Sequence, residues 1–276
     1  MALTVRTNLS AMNAANSLKK TQGSLSNTLG RISSGMRINS AGDDAAGLAV
    51  ATQLNIEADS MEQAMRNAND GISIIQTAEG ATNEVTNILN RMRELAVQSA
   101  SETLSNDERV YINEEFDQLN QEISRISEVT EFNGVALANN TTTAIGVQVG
   151  IDAATTSQID ISLGDLRASA LGTGVDALDL STSTGALTAI TAIDTAIDDV
   201  SSQRSTLGSV QNRLESSLAN STDYLESLRA AESQIMDADF AKESTEMSKF
   251  QIMQQAGVAS LAQAKNINQA VLSLLS

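Results

Sequence analysis

The chain lacks cysteine, proline, histidine and tryptophan entirely, and aromatic residues make up only 2% of its 276 residues. Because proline is absent, long helices can run uninterrupted, which favours a mainly helical fold. Because cysteine is absent, there are no disulfides and no thiolate metal sites. Without histidine or cysteine there is no Ser-His or Cys-His nucleophile and no imidazole ligand for zinc. The sequence therefore predicts a protein that is not an enzyme and needs no cofactor.

Basic residues are also scarce, since 17 Lys and Arg stand against 34 Asp and Glu, for a formal net charge of −17. Binding to phosphates needs clustered cations, so nucleic acid is not expected as a partner. No window approaches the roughly 18 apolar residues that a membrane-spanning helix requires. The N-terminus also lacks the apolar core of a cleavable secretory signal. We therefore expect no membrane partner and no cleaved signal.

Both ends of the chain carry apolar or small residues at alternating steps of four and three, the spacing of a helix that packs lengthwise on other helices. Such helices are weakly stable alone, so we expect the two ends to pair. From the pattern alone, an ordinary antiparallel pair within one chain is favoured over helices that also pack on further copies. The predicted seam consists of Leu18, Leu25, Leu29, Ile32, Met253, Gly257, Ala264, Ile267, Val271 and Leu274.

Two further helices are predicted in the first half of the chain. The first runs from Ala45 to about residue 100, and Gly71 and Gly80 make its middle the least secure part. The second begins at Ser105, whose hydroxyl is followed three residues later by the carboxylate of Glu108, the spacing of a capping box.

After a turn predicted at Asn133-Gly134, the apolar period changes from helical spacing to two, which indicates a β-hairpin. From residue 186 to 235 a four-three pattern then predicts one long helix. The predicted fold is mainly α, an elongated antiparallel helical bundle with terminal coiled-coil helices and a small β-hairpin region. The predicted divisions are an N-terminal helix and spoke (1–43), core helices (44–134), a short β region at the outer end (135–184), a long core helix (185–236) and a C-terminal helix (237–276).

Four runs of sequence carry a family resemblance. They are Val5 to Asn8, the run ISSGMRINSAGDDAAG at 32–47, RMRELAVQ at 91–98, and the ending at 254–275. At these distances from one another they closely resemble bacterial flagellin, over about residues 1–175 and 185–276. The resemblance weakens in the middle, where many flagellins insert large outer domains. It also departs at Ser276, where a basic residue often follows the paired leucines.

The resemblance implies a structural subunit that polymerises with itself into the extracellular filament of the bacterial flagellum, for swimming. The terminal helices would form the coiled-coil lining of the inner tube, and the chain would be exported unfolded by the flagellar type III route. The implied partners are other copies of the chain, an export chaperone on the C-terminal helix, the filament cap and hook-filament junction proteins, and the flagellin-sensing Toll-like receptor of animals. The alternative is a minor hook-filament junction protein with similar termini. The close match at 91–98 favours the bulk subunit.

Two sets of surface residues follow from this resemblance and from composition. Arg91, Leu95 and Glu115 match the flagellin patch contacted by the receptor, and we expect the same face to meet a neighbouring subunit along a protofilament. By the residues alone, Arg91 is explained as a member of an ion pair, Leu95 as a leucine of the core or its rim, and Glu115 as a solvated carboxylate. Clusters of Ser and Thr are expected to lie in ordinary loops, which are also where O-linked sugars would be attached. The residues of these clusters are Thr141, Thr142, Thr143, Thr155, Thr156, Ser157, Ser181, Thr182, Ser183 and Thr184.

Overall fold

A computed structural model describes residues 8–139, 142 and 144–273, and within these ranges the chain forms five α-helices and two small antiparallel sheets. The helices are α1 (Leu9–Ser34), α2 (Ala45–Ala100), α3 (Asn106–Val129), α4 (Ser183–Met236) and α5 (Phe240–Ser273). The strands are β1 (Glu131–Phe132), β2 (Val135–Ala136), β3 (Ala144–Gln148) and β4 (Gln158–Ser162). The predicted fold class, mainly α with a small β-hairpin region, is confirmed.

The chain divides into two compact units. The central unit comprises residues 59–225, and the terminal unit joins residues 1–58 to residues 226–276. Helices α2 and α4 each contribute residues to both units. None of the described helices is both long enough and apolar enough to cross a membrane.

The core of the central unit is a cluster of apolar side chains from α2, α3, α4 and the segment of chain that precedes α4. Ser183 donates to the carbonyl oxygen of Ala100, and Arg93 pairs with Asp194, so α2 and α4 run antiparallel. Side chains at helical spacing on each helix meet in this cluster. The removal of their apolar surface from water is the main source of the stability of the cluster. The largest of them are Leu89, Met92, Leu95, Phe116, Ile123, Leu180 and Ile193.

A second apolar cluster of the central unit seats the hairpin β3–β4 on the helices. Val147 lies opposite Ile159 in the ladder, and both are buried in that cluster with Leu214 of α4. Gly71 of α2 makes room for the hairpin, because a Cβ there would lie 3.0 Å from Val147 Cγ2 and 3.3 Å from Leu214 Cδ1. The glycine that looked like a weak point in a helix is therefore the place where a strand approaches the helix closely.

Two local sequence signals produce the structures they predict. Ser105 N donates to Glu108 Oε2 at 2.8 Å, and Glu108 N donates to Ser105 Oγ at 3.3 Å, which completes the capping box of α3. The same backbone hydrogen bond from Ser105 holds the pKa of the Glu108 carboxyl below its usual value. Asn133 and Gly134 have positive φ angles of 50° and 77°, and they form the turn between β1 and β2.

The terminal unit is built on the pairing of α1 with α5. Asn8 caps the start of α1 by accepting from Ala11 N at 2.9 Å, and it donates to the carbonyl oxygen of Ala264 at 2.9 Å. At the other end of α1, Arg31 pairs with Glu243 near the start of α5. The two helices are therefore antiparallel. Helix α1 ends at Gly35, whose φ of 72° is accessible to glycine without strain.

Candidate functional site

The face that α1 turns towards α5 follows a four-three repeat. Three of the four predicted seam residues of α1 lie at its less exposed positions, namely Leu18, Leu25 and Ile32, and the fourth, Leu29, does not. Thr21 and Thr28 are the buried residues of α1, whereas Leu29 is 46% exposed. The prediction that Leu29 belongs to the seam is therefore wrong for the contact within one chain. The less exposed positions step by threes and fours, and Thr28 rather than its neighbour Leu29 lies on this face; they include Ala11, Ala14, Leu18, Thr21, Leu25, Thr28 and Ile32.

The matching face of α5 contains two of the predicted seam residues. Ala264 is buried, and Gly257 packs directly on Leu18, since a Cβ at Gly257 would lie 3.2 Å from Leu18 Cδ1. Met253 is exposed, and its neighbour Gln254 takes the less exposed position, so Met253 is another correction to the predicted seam. The side chains of Ile267 and Val271, and all of Leu274, lie outside the described residues.

The paired terminal helices keep a large apolar surface in contact with water. Ile252 of α5 is 67% exposed, and Met253 and Val258 on the same helix are also exposed. On α1, Leu9 and Met12 are exposed in the same way. Pairing within one chain covers only one side of each helix, so apolar side chains on the other sides stay in contact with water. Large apolar side chains left exposed on both helices of a pair are typical of surfaces that another chain covers.

In the central unit, Arg91 and Glu115 are brought together as expected. Arg91 Nη2 lies 2.8 Å from Glu115 Oε1, and Arg91 Nη1 lies 3.0 Å from Glu94 Oε2. The hydrogen bond with Glu115, followed by that with Glu94, raises the pKa of the guanidinium. These side chains are about half-exposed or more, so the group forms a charged surface at the junction of α2 and α3.

Leu95 does not share that surface. Its exposed fraction is 2%, and it belongs to the apolar cluster with Phe116 and Met92. The expectation that Leu95 shares an open contact face with Arg91 and Glu115 is therefore wrong for the single chain. Of the two interpretations left open by the residues, the structure places Leu95 in the core. A residue one helical turn from Arg91 is rotated by about 40°, which is enough to turn it inward.

Sequence reasoning missed Arg109, which fixes the turn between α2 and α3. Its side chain is buried and donates to Ser99 O at 2.8 Å, Ser101 O at 2.7 Å and Asn106 Oδ1 at 3.0 Å. A cation that binds the last carbonyls of a helix is stabilised by the helix dipole as well as by hydrogen bonds. The sequence offered one signal for this role: Arg109 lies in the first turn of α3, just after a short loop, and so within reach of the last carbonyls of α2.

The hydroxyl clusters fall into two groups. Ser181 donates to Asp179, Thr182 Oγ1 accepts from Gly185 N, and Ser183 donates to Ala100 O, so these three serve local structure. Thr155 and Thr156, in the short 3₁₀ helix Thr155–Ser157 before β4, are exposed, as is Thr184 at the start of α4, while Ser157 and Thr142 are partly covered. Thr141 and Thr143 lie outside the described residues. In the part of the chain that the structure describes, no group of three or more carboxylates is placed to hold a metal ion.

Comparison with known proteins finds two family matches. Residues 5–143 match the bacterial flagellin N-terminal helical region, and residues 190–275 match the bacterial flagellin C-terminal helical region. A flagellin from Halalkalibacterium halodurans is 46% identical over 268 residues, which cover 97% of this chain and 98% of that one. Polar flagellin C from Vibrio parahaemolyticus is 35% identical over 383 residues, covering all of both chains. The crystal structure of Bacillus cereus flagellin aligns with a TM-score of 0.50 at 34% identity, over 56% of this chain and 88% of that one.

Proposed function

The chain belongs to the bacterial flagellin family, whose members are structural filament subunits and not enzymes, and on that premise we propose how it assembles, is exported and is recognised. Copies of the chain add to one another through their terminal helices and build the extracellular filament that drives swimming. Residues 1–43 and 237–276 line the inner tube, residues 44–134 and 185–236 form the surrounding core, and residues 135–184 lie at the outer surface.

The observation that carries this proposal is the apolar surface left uncovered on the α1–α5 pair. A filament that grows without closing needs two different surfaces on each subunit that fit each other. Exposed apolar residues on both helices, at positions that the α1–α5 contact does not use, provide such surfaces without new folding.

Polymerisation of purified chains tests this proposal. Replacing Ile252 by Asp places a charge in the uncovered surface, and we expect it to abolish seeded filament growth measured by sedimentation. Gln251→Asp is the matched control, because Gln251 is also exposed on α5 but is already polar. Filament growth by Ile252→Asp at the rate of the control would show that this surface is not the assembly surface.

The export proposal concerns the same helix before assembly. A helix with so much exposed apolar surface needs protection in the cytoplasm, and the chaperone is expected to cover it. Deletion of residues 256–276 should abolish chaperone binding and polymerisation together, while the central unit of residues 59–225 still folds. Binding titrations against the purified chaperone, with circular dichroism of the truncated chain, measure both. Unchanged chaperone affinity would place the binding site elsewhere.

The receptor and a neighbouring subunit are proposed to use the charged patch of Arg91 and Glu115. Support comes from its exposure and from the short distance between the two side chains. Arg91→Ala should weaken receptor signalling and the resistance of filaments to heat, with little change in the fold, since ion pairs exposed to solvent contribute little to stability. Arg93→Ala is the control, because Arg93 forms a comparable ion pair with Asp194 at 2.6 Å on another side of α2. Equal effects of both substitutions would argue against a specific patch.

One experiment tests both the alternative function of the chain and the attachment of sugars to it. The alternative function, a minor hook-filament junction protein, predicts a low abundance in sheared filaments, whereas the bulk subunit predicts that the chain dominates. Mass spectrometry of sheared filaments measures the abundance and any sugars, which we propose for Thr155 and Thr156 ahead of the hydroxyls that hold local structure.

A further inference from the structure

Two interruptions of the helices lie side by side in the terminal unit. The first follows α1 at Gly35, and the second separates α4 from α5 at Asp237. Met36 forms an isolated antiparallel β-bridge with Asp237, Arg37 N donates to Met236 O at 2.6 Å, and Ala238 N donates to Gly35 O at 2.9 Å. We call residues 35–38 and 235–239, together with the ion pairs described next, the clasp.

Side chains reinforce the backbone pairing of the clasp. The guanidinium of Arg37 donates to Ile235 O from Nε at 3.2 Å and from Nη2 at 2.7 Å, so it caps the end of α4. Arg31 of α1 lies 3.4 Å from Glu243 of α5 and 3.9 Å from Asp43 of the following loop. Glu243 is only 8% exposed, so its carboxylate depends on its alignment with Arg31.

The rest of the α1–α5 contact discriminates poorly between alignments. The covered positions of α1 are at heptad spacing, so sliding α1 by seven residues puts Leu25 in the place of Leu18, Thr28 in that of Thr21 and Ile32 in that of Leu25. The hydrogen bond from Asn8 ends on the main-chain oxygen of Ala264, and every turn of a helix offers such an acceptor. Gly257 packs on Leu18 in the observed alignment, and a slide of seven residues would bring Leu25 opposite Gly257 instead, so a leucine would meet the glycine again.

We propose that the clasp sets the register of the terminal helix pair, that is, which residues of α1 lie opposite which residues of α5. The apolar contacts along the two helices then stabilise that alignment without selecting it. The backbone pairs of the clasp join residue 36 to residue 237, and Arg31 joins residue 243 only in that alignment. A shift of seven residues would leave the Glu243 carboxylate without Arg31 in a site shielded from water. This inference concerns contacts within one chain, so it stands independently of the filament proposal.

Engineered cysteines read the register directly, because the natural chain has none. A Cβ at Gly257 would lie 3.8 Å from Leu18 Cβ, the usual separation in a disulfide. The full-length variant Leu18→Cys with Gly257→Cys therefore reports the observed register. Leu18→Cys with Ala264→Cys reports a shift of seven residues. Both are oxidised at high dilution, and the cross-linked monomers are quantified by gel mobility.

The clasp is then disrupted in both cysteine backgrounds by Arg31→Met with Glu243→Gln, which leaves no buried charge unpaired, and by Arg37→Ala. Lys19→Met is the control, since Lys19 is exposed on α1 and outside the clasp. We expect the ratio of observed-register to shifted product to fall by about tenfold when the clasp is disrupted, equivalent to about 1.4 kcal/mol, and to stay constant in the control. An unchanged ratio would overturn the inference. Loss of both products in equal proportion would also overturn it, because the clasp would then stabilise the pair without choosing its register.

Discussion

Replacing Leu95 by Ala separates a core role from a surface role for this residue. Leu95 is almost completely enclosed by the apolar cluster of α2, α3 and α4, so its truncation leaves a cavity. Buried leucine-to-alanine substitutions cost about 2–5 kcal/mol. With a urea dependence of about 2–3 kcal/mol per M for a unit of this size, a loss of about 3 kcal/mol lowers the unfolding midpoint by about 1 M or slightly more.

Urea unfolding of the dilute chain, followed by circular dichroism, measures this shift. Leu95→Met is the control, because a swap that conserves volume costs less than about 1.5 kcal/mol. Any fall in receptor signalling by Leu95→Ala should follow the loss of folded protein, whereas Arg91→Ala should reduce signalling at unchanged stability. An unfolding midpoint for Leu95→Ala equal to that of the unmodified chain would refute the assignment of Leu95 to the core.

Three further outcomes are expected. Arg109→Met leaves the buried carbonyl of Ser99 without its donor and should lower the free energy of unfolding by about 1–3 kcal/mol, measured in urea; no loss would mean that the cap is not needed. Gly257→Val crowds Leu18 and should raise the critical concentration for polymerisation, and Leu18→Ala in the same chain should partly restore it; polymerisation that Gly257→Val leaves unchanged would contradict the close packing. Because hydrogen bonds lower the folded-state pKa of carboxyls such as Glu108, their stabilisation is complete above the unfolded-state pKa and is lost as pH falls through the folded-state pKa, so acid unfolding should begin below about pH 4. With no histidine in the chain, a stability step between pH 5 and 8 would contradict this account.

Local signals were sufficient where one or two residues determine the backbone. Ser105 with Glu108 satisfies the free N–H groups of a helix start, and Asn133-Gly134 accepts the positive φ angles of its turn. Both predictions needed nothing from distant parts of the chain. The long helices were predictable for a similar reason, since a four-three repeat without proline has few other ways to bury its apolar residues.

The details of packing were less predictable because they depend on partners far away in sequence. Thr28 replaces Leu29 in the contact of α1 because the way α5 packs on α1, not hydrophobicity alone, decides which side of α1 is covered. The inward rotation of Leu95 and the burial of Arg109 likewise follow from how α3 packs on α2. Gly71 could not be interpreted correctly from its own helix, since the strand that needs the space lies more than 70 residues further along the chain.

The pairing of α1 with α5 also determines when the terminal unit can form. Asn8 and Ala264 are 256 residues apart in the chain. At a synthesis rate of about 5–20 residues per second, Asn8 is therefore made about 13–50 s before its hydrogen-bond partner on α5. The central unit, which ends at residue 225, has all of its residues earlier. The order of synthesis therefore makes the terminal unit the last part of the chain to become complete, and a chain stopped at residue 225 has every residue of the central unit but lacks α5.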